Sequence, residues 1–128
     1  MNLNIRKGNA NWIKQMNGTN ELTKEERLRR LEMAKEYINE KFLTIGEIKE
    51  VAEHCNLSEY HFYRSFKMAY GLTPYQYIIE KKMQFAKKLL ADQSMTLRAI
   101  AEECCFPDVF TFSKAFKRYY GLPPSSMR

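Results

Sequence analysis

The chain has 128 residues, 45% of them apolar, with 21 basic side chains against 15 acidic ones and a net charge of +6. That length allows one ordinary domain or two very small ones with modest cores, and the composition argues against disorder over most of the chain. No apolar run approaches the roughly 18 residues a bilayer span needs and no secretory leader pattern is visible, so the expectation is a cytoplasmic protein with no membrane partner. The positive balance suits a polyanionic partner without establishing one.

Residues 1–22 are rich in asparagine, carry Trp12 and Ile13 as their strong apolar pair, and read as a flexible N-terminal arm or an incomplete linker. From Thr23 onward, Leu28, Leu31, Ala34, Ile38 and Phe42 recur at helical spacing, predicting a first helix with charged residues on its other faces. Thr44 and Glu47 have the spacing of a capping box and should open a short helix through Ile48, Val51 and Ala52 that ends at Cys55-Asn56. Asparagine tolerates the left-handed backbone of a tight turn, and Ser58 can cap the next helix, which should run to about Tyr70.

Gly71 then supplies a left-handed stop, and Thr73-Pro74-Tyr75-Gln76 combines an N-cap, a proline in the first turn and a second capping box. A long helix should follow from Pro74 to about Ala91, with Ile78, Ile79, Phe85, Ala86, Leu89 and Leu90 on a broad apolar face. Its length would be on the order of 27 Å. Asp92-Gln93-Ser94 breaks the pattern, Thr96 opens another short helix, and Pro107 or Asp108 opens a last one that closes at Gly121.

The last two helices repeat the two before the long one. Phe66-Lys67-Met68-Ala69-Tyr70-Gly71-Leu72-Thr73-Pro74 returns as Phe116-Lys117-Arg118-Tyr119-Tyr120-Gly121-Leu122-Pro123-Pro124, a displacement of 116 − 66 = 50 residues. Upstream, Val51-Ala52-Glu53-His54-Cys55 matches Ile100-Ala101-Glu102-Glu103-Cys104 one residue out of step. The organisation expected is all-α: an arm at 1–22, a helix-turn-helix subdomain at 23–73, a connecting helix at 74–93 and a second helix-turn-helix subdomain at 94–128.

At about 100° per residue, Phe62, Phe66 and Ala69 fall on the inward side of the first repeat's longer helix, with Tyr60, Arg64 and Lys67 opposite and His61 and Tyr63 at the flanks. In the second repeat Phe112, Ala115, Phe116 and Tyr119 should face inward and Phe110, Lys114 and Lys117 outward. An aromatic followed by two cations on the second helix of a helix-turn-helix, twice over, has the chemistry for DNA: arginine forks onto guanine edges and aromatics meet thymine methyls. Cations on an exposed face are more often simply solvated, and it is the repetition that favours DNA here.

These residues make the chain resemble the AraC/XylS-type transcriptional regulators, and in particular their double helix-turn-helix DNA-binding domain. Ile100-Ala101, Phe106, Asp108, Phe112-Ser113, Phe116-Lys117, Gly121 and Pro124 fall at the spacings of that family's C-terminal signature, and the resemblance covers about residues 23–128. It implies two homeodomain-like repeats on one long helix, reading successive major-groove segments of double-stranded DNA. Carried over by position, the base-facing residues would be Tyr60, Tyr63 and Arg64, then Val109, Phe110, Thr111 and Lys114. Phosphate contacts would fall to His61, Lys67, Ser113, Lys117 and Arg118.

Three departures stand out. Asn56 and Cys105 occupy turn positions usually held by glycine, Val109 and Phe110 stand where polar base readers are common, and the sequence ends at Met127-Arg128 where members often continue a short final helix. The resemblance further implies an activator that binds one asymmetric site as a monomer unless it is part of a longer chain, with RNA polymerase as a possible partner.

Other chemistry finds little support. Cys55, Cys104 and Cys105 are an odd number at the ends of short helices and read as buried free thiols, with oxidant sensing by Cys104-Cys105 a lesser alternative. His54-Cys55 lacks the spacing of a zinc site, and no nucleophile and base are paired, so no metal, no cofactor and no catalytic residue is expected. The competing reading is a protein-interaction module docking a transcription partner through the exposed aromatic and basic faces.

Overall fold

The computed structural model describes residues 22–128; the arm expected at 1–22 lies outside them except for Leu22. Among the described residues are six α-helices and no strand: α1 (Lys24–Lys41), α2 (Ile48–His54), α3 (Glu59–Tyr70), α4 (Pro74–Leu90), α5 (Leu97–Glu103) and α6 (Val109–Tyr120), followed by a 3-10 turn at Pro124–Met127. The chain divides into two compact units, the first ending at Tyr77 and the second running Ile78–Arg128, so the division falls inside the continuous helix α4.

Local hydrogen bonding sets most helix ends. Thr23 and Glu26 form a full capping box before α1, with the Thr23 hydroxyl accepting from the Glu26 N–H at 3.1 Å and the Glu26 carboxylate accepting from the Thr23 N–H at 3.0 Å. Thr73 and Gln76 do the same before α4, at 3.0 and 2.9 Å. Ser58 caps α3, Thr96 caps α5 and Asp108 caps α6. The capping box expected from Thr44 and Glu47 does not form: Glu47 precedes α2 without a side-chain cap bond, and the Thr44 hydroxyl donates back to the Lys41 carbonyl. The end of α1 captures it first.

Both helix-turn-helix corners are the same left-handed closure. The Leu57 N–H donates to the Ala52 carbonyl at 2.9 Å and the Asn56 N–H to that of Glu53 at 3.1 Å; Phe106 to Ala101 and Cys105 to Glu102 repeat the pair, each at 3.0 Å. This double bond pattern needs one residue in the left-handed region. Asn56 at φ 58° and Cys105 at φ 61° supply it. Gly71 and Gly121 close α3 and α6 at φ 81° and 82°, where a residue with a Cβ would be strained.

In the first unit α1 packs on both α2 and α3, burying Leu31, Ala34 and Ile38 against Val51, Ala52, Phe62 and Phe66. Polar ties fix the arrangement: Tyr37 donates to Glu50 at 2.5 Å, Arg30 to the Asn56 carbonyl at 2.8 Å, and Tyr77 to Asn39 at 2.6 Å. Leu28, placed in the apolar stripe of α1 by its spacing, is exposed. The second unit has its own core of Met83, Ala86, Leu90, Ile100, Cys104, Phe112 and Phe116, with Ile79, Phe85 and Leu89 half-buried around it. Met83 was not in the expected apolar face of the long helix, yet it is completely buried.

The inward faces of α3 and α6 centre on equivalent aromatic triplets. Phe62, Phe66 and Tyr70 match Phe112, Phe116 and Tyr120, and the Phe66–Tyr70 and Phe116–Tyr120 ring centroids are both 4.7 Å apart. This corrects the inward assignments of Ala69 and Tyr119, both of which are exposed in the last turn of their helices. Their places are taken by Tyr70 and by Tyr120, whose hydroxyl donates to the Met83 carbonyl at 3.2 Å.

Candidate nucleic-acid interface

Each corner delivers its second helix with an aromatic residue in the first turn and a cation one turn later. On α3 the Arg64 guanidinium carbon lies 5.6 Å from the Tyr60 ring centroid, and its Nη1 donates to the Tyr60 hydroxyl at 2.7 Å. On α6 the Lys114 ammonium lies 5.2 Å from the Phe110 ring centroid. Residues four apart on a helix are neighbours, so the pairing follows from sequence spacing alone. Both aromatics remain well exposed, Tyr60 at 59% and Phe110 at 69%.

The remaining expected base-facing residues, Tyr63, Val109 and Thr111, are exposed too. Lys67, Lys117 and Arg118 continue the basic character toward the C-terminal ends of their helices, where cations also favour the helix dipole. Ser113 is half-buried. The Asp108 carboxylate accepts from the Thr111 N–H at 2.7 Å, and that bond holds its carboxyl below the ordinary value. The cap thereby sets Val109 and Phe110 at the leading tip of α6.

His61 does not belong in this group. It was expected at a flank near phosphate, but its side chain is 1% exposed, which leaves no surface for a phosphate. Burial drives its pKa down to about 2, with the Arg27 and Arg64 charges adding to the effect, so the imidazole is neutral in the fold. The equivalent residue in the second repeat, Thr111, is exposed. α1 packs directly on α3, and that covering is what a local periodicity cannot show.

The cysteines also separate. Cys55 and Cys104 are buried, and burial pushes each thiol up to about 11; Cys105, expected to be buried with them, is exposed in the second turn. Among the described residues, no group of three or more His, Cys, Asp or Glu side chains is placed to hold a metal ion, and no helix is long and apolar enough to cross a membrane.

Two further exposed aromatic and acidic positions escaped the sequence reading. Glu59 opens α3 and Tyr75 lies in the first turn of α4; with Ile48, Tyr60 and Tyr63 they line a shallow cleft within the first unit. The aromatic content of the segment was the available signal.

Comparison with known proteins agrees with this construction. Residues 51–128 match the family model of a helix-turn-helix domain. The chain is 36% identical over 86 residues to the probable transcriptional regulator LumQ of Photobacterium leiognathi, covering 67% of this chain and 34% of that protein. It is 33% identical over 96 residues to the raffinose operon transcriptional regulatory protein RafR of Pediococcus pentosaceus, covering 75% of this chain and 35% of that protein. The chain thus spans about a third of the length of these curated relatives.

In fold it is similar to a probable AraC family transcriptional regulator from Rhodopseudomonas palustris, with a TM-score of 0.69 at 22% identity over 77% of this chain and 94% of that one. A family match over more than half of the sequence, carried by two equivalent corners and two equivalent second helices, settles the classification: the chain belongs to the AraC-type helix-turn-helix family.

Proposed function

We propose that the chain is the sequence-specific DNA-binding part of a transcriptional regulator, with α3 and α6 each entering a major-groove segment. The observation that carries this reading is the repeated aromatic and cation pair, Tyr60 with Arg64 and Phe110 with Lys114, exposed at the same place on both second helices of a helix-turn-helix. Arg64 offers a bidentate donor to guanine, while Val109, Phe110 and the Thr111 methyl offer apolar contacts suited to thymine methyls. Lys67, Lys117 and Arg118 serve as phosphate contacts that position the helices without reading sequence. This reading takes 23–73 and 94–128 as the two subdomains and 74–93 as the helix that connects them, the part of it from Ile78 onward belonging to the second compact unit.

In this reading the chain binds one asymmetric site as a monomer and acts as an activator, with RNA polymerase as its protein partner. The operon regulators among its relatives support a regulatory role, and the two unlike reading helices support an asymmetric site. Binding to a random duplex pool, followed by selection and footprinting, tests it. Each phosphate neutralised should lower log affinity by about 0.9 per decade of salt. Salt-insensitive binding to protein with no selected duplex would support the interaction-module alternative instead.

A further inference from the structure

Glu59 is the acidic residue that stands out on the proposed reading face. It is exposed at the first position of α3, beside Tyr60. A carboxylate there is favoured by the positive end of the α3 dipole but repels phosphate, so on DNA its partners are the hydrogen-bond donors that a major groove presents. Hydrogen-bond donors on base edges are the N4 amino group of cytosine and the N6 amino group of adenine. On adenine the donor sits beside the N7 acceptor, which repels a carboxylate; on cytosine it sits beside an apolar C5–H. Cytosine therefore fits this side chain better.

The cleft next to it has a matching apolar character. Ile48 from α2, Tyr60 and Tyr63 from α3 and Tyr75 from α4 line it together with Glu59, and Tyr75 is 62% exposed. The second repeat has no such arrangement, since Val109, Ser113 and Ser125 stand at the places of Glu59, Tyr63 and Tyr75. The cleft is continuous with residues already proposed to face bases, so its occupant is taken to be DNA. An apolar recess beside a base-edge acceptor suits the methyl group of a thymine.

We infer that the first reading helix carries a pyrimidine-selective element, in which Glu59 accepts a hydrogen bond from a cytosine amino group and the Ile48, Tyr63 and Tyr75 cleft receives the methyl of a neighbouring thymine. This rests on the DNA-binding reading above and adds to it Glu59, Ile48 and Tyr75, which no base-facing assignment included. Tyr75 is a positioning and packing contact, while Glu59 is the discriminating one.

Duplexes selected from a random pool by the unaltered chain, Glu59→Gln and Glu59→Ala provide the test. The unaltered chain should select a cytosine beside a thymine in one half of its site, and changing that cytosine should cost about tenfold in affinity. Glu59→Gln should move the preference at that position toward adenine, whose donor and acceptor pair suits a carboxamide. Replacing the thymine by deoxyuridine should weaken the unaltered chain about fourfold, the value of one methyl-sized apolar contact, and should affect Tyr75→Ala much less.

Unchanged base preference in both Glu59 variants, or an equal gain in affinity for every sequence in Glu59→Ala, would overturn the inference and leave the DNA-binding reading standing. Absence of salt-dependent duplex binding by the unaltered chain would instead overturn both. The deoxyuridine arm uses unaltered protein and so does not depend on any variant folding.

Discussion

Asn56 and Cys105 hold the same left-handed backbone, φ 58° and φ 61°, at the same point of two equivalent turns. The two residues do not bear that conformation equally. Asparagine visits it routinely, whereas an ordinary L-residue pays roughly 1–2 kcal/mol for the close approach of its Cβ to the carbonyl oxygen.

Cys105→Gly should therefore stabilise the second unit. Relief of the left-handed strain is offset in part by the greater freedom glycine has in the unfolded chain, leaving a gain of about 0.5–1 kcal/mol. Asn56→Gly should change stability by less. Urea titration of both variants checks the difference, and equal effects at the two turns would contradict it.

Arg64→Ala and Lys67→Ala should separate reading from positioning. Removing Arg64 should cost about 1–3 kcal/mol on the selected duplex and relax preference at one or two bases. Lys67→Ala and Lys117→Ala should weaken binding to every sequence alike and lower the salt slope by about one phosphate each. Competition binding with selected and scrambled duplexes distinguishes these outcomes. Equal loss on both duplexes in Arg64→Ala would remove its base-reading role.

His61 should make the protein less stable in mild acid. The unfolded imidazole takes up a proton near its ordinary value of about 6.5, whereas the buried one resists down to about 2. Below the first value the unfolded state binds the extra proton, so stability falls as pH falls, by up to about 1.4 kcal/mol per unit. The carboxyls of Glu26, Asp92 and Asp108, all held below their ordinary values by hydrogen bonds, lose their contributions at lower pH still. Urea midpoints between about pH 7 and pH 5 should therefore fall in the unaltered chain and be flatter in His61→Gln.

Thiol chemistry should pick out one cysteine of three. Cys105 is exposed, while Cys55 and Cys104 are buried and donate to the carbonyls of Val51 and Lys82. Because the thiolate is the reactive form, the two raised thiols should resist alkylation until the chain unfolds. Iodoacetamide labelling followed by peptide mass analysis should find one fast site at Cys105. Comparable labelling of Cys104 in the folded protein would contradict the burial described here.

The sequence by itself determined the repeat, the left-handed turn at Asn56, the stops at Gly71 and Gly121, the caps at Ser58, Thr73, Thr96 and Asp108, and the pairing of Tyr60 with Arg64 and Phe110 with Lys114. Apart from the repeat, which is a likeness between segments 50 residues apart, these are interactions between residues within about one helical turn, so neighbouring letters contain both partners. Tertiary structure decided the rest. It buried His61 while exposing Thr111, exposed Ala69 and Tyr119 while turning Tyr70 and Tyr120 inward, buried Met83, and brought Ile48 and Tyr75 beside Glu59. Whether a given arc of a helix is covered depends on which distant segment packs over it, and periodicity along one helix carries no record of that partner.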